Sequence, residues 1–157
     1  MPASHLDTWQ KLQVVLEVLR REVGRDLWAE SQLSDSEFTI LAQLSSASGD
    51  GVRPTDCARA IGWDSSRLAH QTRRLEKRGL VAKTAASDDG RAIRLAVTDT
   101  GRAAYRASLG PHLRSAKKWF ADGLTEEQVA GLEVALDALT THIENLTATP
   151  PARTQDS

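Results

Sequence analysis

The 157-residue chain lacks several features that mark whole classes of protein. Its only cysteine is Cys57, so an intramolecular disulfide is excluded. No apolar run approaches the roughly 18 residues that a membrane-spanning helix requires. The N-terminal segment MPASHLDTW has no basic region followed by an apolar one, so it does not predict a secretion signal. Together these absences predict a cytoplasmic protein.

Motifs for catalysis and for metal binding are also missing from the sequence. It contains no nucleophile elbow, no phosphate-binding glycine loop and no paired-carboxylate motif. The histidines have no close spacing and no cysteine partner, so a metal site is not expected. These histidines are His5, His70, His112 and His142. We therefore expect neither an enzyme nor a bound cofactor.

Charge is nearly balanced over the whole chain but uneven along it. The formal net charge is −1, which by itself argues against a nucleic-acid partner. Residues 53–106, however, contain 12 Lys or Arg and 6 Asp or Glu, whereas residues 1–52 and 107–157 are both acidic. A basic middle segment between acidic ends is the distribution expected if only the middle faces a polyanion.

The segment from Ser65 to Val81, SSRLAHQTRRLEKRGLV, carries much of this positive charge. At 100° per residue, Leu68, Thr72 and Leu75 share one arc and form the expected buried side. The opposite side presents only polar and basic residues: Ser66, Arg67, His70, Arg73, Arg74 and Lys77. Phosphates and guanine edges are hydrogen-bond acceptors, so the pattern is typical of a helix in a DNA groove. An ordinary solvated basic face is the alternative that this helix alone leaves open.

Helix signals divide the first half of the chain into four helices. Apolar residues spaced by three or four predict a long helix over residues 6–30. Ser34 and Glu37 form a capping box that starts a second helix. Pro54 suits the first turn of a third helix, and Asp64 is a good N-cap for the basic one. Trp63, just before this N-cap, is expected to pack as an apolar staple.

The second half begins with a predicted hairpin and continues with helices. Strands are expected over residues 80–85 and 92–97, because the Asp-Gly between them is a strong turn signal. In the second strand, Ile93, Leu95 and Val97 alternate with Arg94 and Ala96, so these three are expected to share a buried face. A helix follows to about residue 109, and Gly110-Pro111 is expected to break or kink it before another helix over residues 112–121. A capping box of Thr125 and Gln128 then starts a last helix. Its apolar residues repeat in a 3-4 pattern, which indicates a partner helix.

Two helices at a tight turn, followed by a hairpin, predict a winged helix-turn-helix. The fold class is therefore mainly α (α+β), with a two-stranded wing and long dimerisation helices on both sides. The expected organisation is an N-terminal dimerisation helix (1–32), a DNA-binding lobe (33–98), C-terminal dimerisation helices (99–147) and a disordered tail (148–157).

Four segments of the sequence resemble the MarR (multiple antibiotic resistance regulator) family. They are LSDSEFTIL, RRLEKRGLV, SDDGRAIRLAVTDTGR and WFADGLTEEQ, in this order and spacing. The resemblance covers residues 33–97 in motif detail and residues 6–147 in layout. It implies a dimer of winged helix-turn-helix lobes that binds pseudo-palindromic DNA operators, usually as a repressor. In many members a small, often phenolic, molecule enters a cleft beside the dimerisation helices and releases the DNA.

The resemblance also implies roles for residues of the recognition helix. Arg67 is expected to read a base, because Arg can bond to guanine O6 and N7 at once. Ser65, Ser66 and His70 share the N-terminal half of the helix, which enters the major groove in such folds. For His70, a base contact, a phosphate contact and a plain polar surface position all stay open.

Other positions are expected to contact the DNA backbone or the minor groove. Arg73 and Arg74 lie farther along the recognition helix, and Thr55 starts the preceding helix, so phosphate contacts are expected from these three. Arg91 matches the wing arginine of the family, which reaches into the minor groove. Asp89 resembles the acid that orients this arginine, and a plain turn residue is its alternative.

Cysteine and tryptophan leave further alternatives open. Cys57 falls on the inward side of a short helix, so a buried structural thiol is favoured over a redox sensor. Trp9 and Trp119 lie on helices that would line an effector cleft, and either could contact a ligand or pack in the core.

The sequence therefore predicts a homodimeric regulator of transcription that binds double-stranded DNA at an inverted-repeat operator and responds to a small-molecule effector. A protein-interaction module whose basic lobe binds an acidic partner is the alternative. A DNA-binding regulator without any effector is a third possibility that the residues do not separate from the first.

Overall fold

The structure is a computed structural model and describes residues 2–47, 51–85 and 93–148. It divides into two compact units, Met1–Trp119 and Phe120–Ser157. The elements of the first unit are α1 (Ala3–Ser31), α2 (Asp35–Ser46), α3 (Pro54–Ala60), α4 (Ser65–Lys77), β1 (Val81–Ala85), β2 (Ile93–Val97) and α5 (Asp99–Trp119). The second unit has a short 3-10 turn, Ala121–Gly123, and α6 (Glu126–Ala148). This architecture is the predicted winged helix-turn-helix with long helices on both sides of it.

Helix starts follow the capping signals of the sequence. The Ser34 side chain accepts from the N–H of Glu37 at 3.2 Å, and the Ser34 N–H donates to Glu37 Oε2 at 3.0 Å. The same reciprocal pair joins Thr125 and Gln128, at 2.9 and 3.2 Å. Each box satisfies backbone donors that the first helical turn leaves without a partner, and both were predicted.

The core of the first unit lies between helices α2, α3 and α4 and the sheet. Its buried apolar side chains come from α2, α3, α4, the two strands and the residues just before α2 and β1: Leu33, Ile40, Leu41, Leu44, Cys57, Ala58, Leu68, Leu75, Leu80, Val81 and Leu95. Burial raises the pKa of the Cys57 thiol, so the thiolate that oxidants attack is disfavoured.

The two strands pair antiparallel, with Val81 opposite Val97 and Ala85 opposite Ile93. Alternation predicted that Ile93, Leu95 and Val97 share a buried face. Leu95 is buried and Val97 half-buried, but Ile93 is 54% exposed, so the prediction is wrong there. Ile93 lies at the far end of the hairpin, beyond the core that covers Leu95.

Gly110-Pro111 was expected to break or kink the helix that follows the hairpin. Helix α5 runs through Pro111 without a break, so the prediction of a separate helix over residues 112–121 is wrong. Proline in a helix removes one hydrogen bond and costs about 3 kcal/mol. Contacts on both neighbouring helices offset this cost, because α5 packs along α1 and α2. His112 stacks on Phe38 of α2, and Ser115 bonds to Asp26 of α1.

Long apolar stretches of α1 and α6 face away from any core that the structure describes. In the first unit, Trp9 and Val14 of α1 are 54% and 64% exposed. In the second, α6 has no buried residue, and Ile143 and Leu146 are 57% and 63% exposed. Within the described residues, no helix has the length and hydropathy needed to cross a membrane.

Candidate nucleic-acid interface

Helix α4 is held in the first unit by its apolar side. Leu68, Thr72 and Leu75 are buried, as the helical wheel predicts. At its start, the side chain of Asp64 accepts from the N–H of Arg67 at 2.8 Å, which confirms the predicted N-cap. The turn between α3 and α4 passes through Gly62, whose φ of 68° favours glycine.

The outer side of α4 is a surface of polar and basic residues without an acid. All six predicted members are exposed: Ser66, Arg67, His70, Arg73, Arg74 and Lys77. The one acid of the helix, Glu76, is half-buried and binds Lys83 of the wing strand at 2.9 Å. Hydrogen-bond donors therefore dominate this surface, which we call the α4 face.

Ser65 and Thr55 extend the α4 face toward α3. Both are exposed, and both line a cavity of about 160 Å³ between α3, α4 and the wing strands. The lining of this cavity is mainly apolar, and it also includes Arg73 and Lys83. The structure thus brings Thr55 and Ser65 to the same surface as the arginines of α4.

Asp64 is an acid close to the α4 face, and its carboxylate accepts two hydrogen bonds. Its Oδ1 accepts from Ser66 Oγ at 2.6 Å as well as from the Arg67 N–H. These bonds, that from Ser66 first, lower the pKa of Asp64. The carboxylate therefore remains ionised and fixes the first turn of α4.

Arg67 has a partner that the sequence did not identify. Its guanidinium carbon lies 4.0 Å from the centre of the Trp63 ring. The sequence predicted Trp63 only as an apolar staple at the start of the helix. The four-residue spacing was the available signal, but Trp63 precedes the helix, so the wheel did not include it.

The end of α4 is tied to the corner between α1 and α2. Arg78 follows the last turn, and its Nη1 donates to Glu37 Oε2 at 2.8 Å. Its Nη2 donates to the backbone oxygen of Gln32 at 2.9 Å. Both ends of the candidate recognition helix are therefore fixed by hydrogen bonds.

The predicted wing-tip residues Asp89 and Arg91 lie outside the described residues. The strands that lead to them are described, and Arg94 of β2 donates to the backbone oxygen of Gly51 at 3.1 Å. Both assignments remain predictions from the sequence.

A second cavity, of about 520 Å³, lies between α2, α3 and α5. Its lining includes Phe38 and Ala42 of α2 and Tyr105 and His112 of α5. The rings of Phe38 and His112 stack at 4.2 Å, and Phe38 and Tyr105 lie 5.4 Å apart. The Nδ1 atom of His112 is buried and has no hydrogen-bond partner in the described structure. None of these residues was predicted as a site residue, and they lie up to 74 positions apart in the chain.

The two tryptophans predicted as ligand contacts do not line this cavity. Trp9 is 54% exposed on α1. Trp119, at the end of α5, donates its indole N–H to Asp26 Oδ2 at 2.8 Å. Ser115 and Lys118 bond to the same oxygen, at 3.1 and 3.2 Å. Trp119 therefore takes part in a polar cluster that joins α5 to α1.

No cluster of three or more potential metal ligands occurs in the part of the chain that is described. The arrangement is suited to a different task. It presents the basic α4 face on a lobe with a buried apolar core, and an aromatic cavity lies between α2 and α5.

Comparison with known proteins gives a family model and several related structures. The sequence model of the MarR family matches residues 33–93. The structure is similar to that of AbsC from Streptomyces coelicolor, a MarR family transcriptional regulator. The two chains are 27% identical. Their superposition has a TM-score of 0.82 and covers 92% of this chain and 97% of AbsC.

Two further structures show the same fold. One is Sco3205 from Streptomyces coelicolor, a MarR family transcriptional regulator solved in complex with DNA. It is 24% identical to this chain, and the superposition has a TM-score of 0.83 and covers 99% of this chain and 95% of Sco3205. The other is the organohalide-sensing regulator RdhR-CbdbA1625, solved with 2,4-dichlorophenol bound. It is 26% identical to this chain, and the superposition has a TM-score of 0.80 and covers 94% of this chain and 85% of that regulator. No curated protein matches the sequence.

Proposed function

Residues 33–93 form a domain of the MarR family, and on this premise we propose that the chain is a sequence-specific, double-stranded-DNA-binding regulator of transcription. The observation that carries the proposal is the α4 face, on which exposed donors occupy a helix fixed at both ends. We propose further that it works in the cytoplasm as a homodimer and represses pseudo-palindromic operators.

The α4 face divides naturally into base contacts and backbone contacts. Arg67, in the first turn, reads a guanine, and Ser65, Ser66 and His70 share its end of the helix. Arg73 and Arg74 contact phosphates from the later turns, where the helix leaves the groove. Thr55 contributes its hydroxyl to a phosphate, and Arg91, oriented by Asp89, adds a minor-groove contact from the wing.

Dimerisation is supported by the apolar residues that each unit leaves exposed. The outward side chains of α1 and those of α6 are too apolar for a helix that is solvated all round. A second copy of the chain would cover them. Two recognition helices related by a two-fold axis then require an inverted repeat with half-sites about 10 bp apart.

Release of DNA by a small phenolic ligand is supported by the aromatic cavity between α2 and α5. Its volume of about 520 Å³ falls in the ordinary range for small-molecule sites, roughly 300–1,000 Å³. Phe38 and Tyr105 offer ring contacts, and His112 offers a buried acceptor or donor. RdhR-CbdbA1625 binds a chlorinated phenol, which suggests the same ligand class here. Trp9 and Trp119 stay secondary candidates for ligand contact.

Selection of binding sites from a pool of random duplex DNA tests the proposal. Enrichment of an inverted repeat would support a dimeric groove reader and would supply the operator for effector screening. Binding without any enriched sequence, lost as salt rises, would contradict it. The alternative, a module whose basic lobe binds an acidic protein, would then account better for the α4 face.

A further inference from the structure

Arg67, the residue of the α4 face that is expected to read a base, stacks on the ring of Trp63. The Arg67 guanidinium lies 4.0 Å above the indole ring. Within residues 2–47, 51–85 and 93–148, the Arg67 side chain makes no hydrogen bond or ion pair besides this stacking contact. The ring is thus the contact that selects the conformation of Arg67.

The ring itself is held in place from two sides. Trp63 is half-buried and packs against the core of the first unit. Its backbone N–H donates to the oxygen of Ala58 at 2.9 Å, across the turn between α3 and α4. The next residue, Asp64, caps α4 through the Arg67 N–H. The backbone of Arg67 and the ring above its side chain are therefore fixed by the same turn.

Stacking holds a guanidinium without using its hydrogen-bond donors. The N–H groups of arginine lie in the plane of the guanidinium, whereas the ring contacts its flat side. All the donors of Arg67 stay available for an acceptor in that plane. Arg73 differs, because its Nε already donates to the oxygen of Ala69 at 3.2 Å.

We propose that Trp63 is a positioning residue, which orients the Arg67 guanidinium before DNA arrives so that it can bond to guanine O6 and N7 together. The inference rests on the proposed function, since it requires that α4 enters a DNA groove. Without the ring, Arg67 would have to be ordered at the moment of binding, and it would bond to a wrong base with less penalty.

The expected effect follows from the strength of a cation–π contact. At an exposed site such a contact changes an equilibrium by roughly 2.3- to 5.5-fold. A dimer uses it twice, once at each half-site, so discrimination against a wrong base should fall by about 5- to 30-fold when the ring is lost.

The test compares wild type with Trp63→Leu, Trp63→Phe, Arg67→Ala and the double variant Trp63→Leu/Arg67→Ala. Each is titrated with the selected operator and with the same operator changed, in both half-sites, at the guanine whose preference Arg67→Ala abolishes. The measured quantity is the ratio of the two dissociation constants. A merely structural role of Trp63 would weaken both complexes equally and leave the ratio unchanged.

We expect Trp63→Leu to reduce the ratio by about 5- to 30-fold, and Trp63→Phe to restore most of it because it keeps an aromatic ring. In the Arg67→Ala background, Trp63→Leu should change the ratio no further. Circular dichroism checks that each variant folds, and Trp63→Met replaces Trp63→Leu if that variant does not.

A ratio that Trp63→Leu leaves at the wild-type value would overturn the inference and keep the proposed function. The inference would also be overturned if Trp63→Leu changed the ratio by the same factor in the Arg67→Ala background as in wild type. If wild type selects no sequence at all, the proposed function fails, and the inference fails with it.

Discussion

The guanidinium of Arg78 and the carboxylate of Glu37 form an ion pair of 2.8 Å that joins the end of α4 to the start of α2. The Glu37 side chain is completely buried, and that of Arg78 is 38% exposed. Burial alone would raise the pKa of Glu37, but hydrogen bonds from Ser34 and Arg78 outweigh it and lower the pKa. The recognition helix is thereby anchored on a charge that water cannot reach.

Arg78→Ala should destabilise the fold, because it leaves the buried carboxylate of Glu37 without its cation. We expect a loss of about 2–3 kcal/mol in the free energy of unfolding, below the full cost of breaking a buried pair because Arg78 is partly solvated. Urea denaturation measures it. Arg59→Ala is the control, since the Arg59–Asp56 pair is exposed on both sides, and its cost should stay below about 1 kcal/mol. Equal losses in the two variants would contradict the anchoring role.

The Asp26 cluster should make the stability of the chain sensitive to acid. The hydrogen bond from Trp119, followed by that from Lys118, lowers the pKa of Asp26 from 3.8 to about 2. A lowered folded-state pKa contributes stability above the unfolded value, and this stability is lost as the pH falls toward about 2. Asp26→Asn should therefore flatten the decline in unfolding free energy between pH 5 and pH 2. Parallel declines in the two proteins would show that the cluster does not act in this way.

Ala42→Phe should fill the aromatic cavity without touching the α4 face. Ala42 lines the cavity from α2, so a ring there would occupy the space of a ligand. We expect affinity for the operator to stay within about twofold of wild type, while release of DNA by a phenolic ligand is lost. Fluorescence anisotropy of labelled operator, with and without the ligand, measures both. Ala103→Phe, at an exposed position of α5, is the control and should retain release.

Leu139→Asp should separate the subunits of the dimer. Leu139 is 47% exposed on α6, so a charge there costs little in a single chain but much in an apolar interface. Sedimentation velocity should show dimer for wild type and mostly monomer for the variant. Thr141→Asp places the same charge on the opposite side of α6 and should remain dimeric. A monomeric wild type would refute the role of this face.

Arg67→Ala and Arg91→Ala should weaken DNA binding in different ways. Loss of Arg67 should relax the base preference, because a guanine contact carries roughly 1–3 kcal/mol of discrimination. Loss of Arg91 should weaken binding broadly across sequences. Repeating the site selection with each variant distinguishes them. An unchanged preferred sequence for Arg67→Ala would show that another residue reads that base.

Local signals were enough to predict most of the fold. The capping boxes at Ser34 and Thr125 and the N-cap at Asp64 each depend on residues within a few positions of one another. Pro111 was misjudged because the contacts that keep α5 intact come from α1 and α2. Ile93 was misjudged because alternation gives the side of a strand but not the extent of the core.

The candidate site was predictable only where it lies on one helix. The α4 face follows from the periodicity of residues 65–78, so Arg67, Arg73 and Arg74 could be selected from the sequence. The Arg78–Glu37 pair spans 41 residues, and the cavity of Phe38, Tyr105 and His112 is assembled from distant helices. Such contacts depend on tertiary packing, for which a single sequence carries no local signal.

The spacing of the two half-sites tests the central claim most directly. Wild-type protein is titrated with its selected operator and with the same DNA carrying 5 bp inserted between the half-sites, about half a helical turn. If the two α4 helices of one dimer read the two half-sites, the insertion rotates one half-site to the opposite side of the duplex. The two helices then cannot bind both half-sites at once. Affinity should then fall by roughly a hundredfold or more, toward nonspecific binding. Equal affinity for the two DNAs would contradict the account.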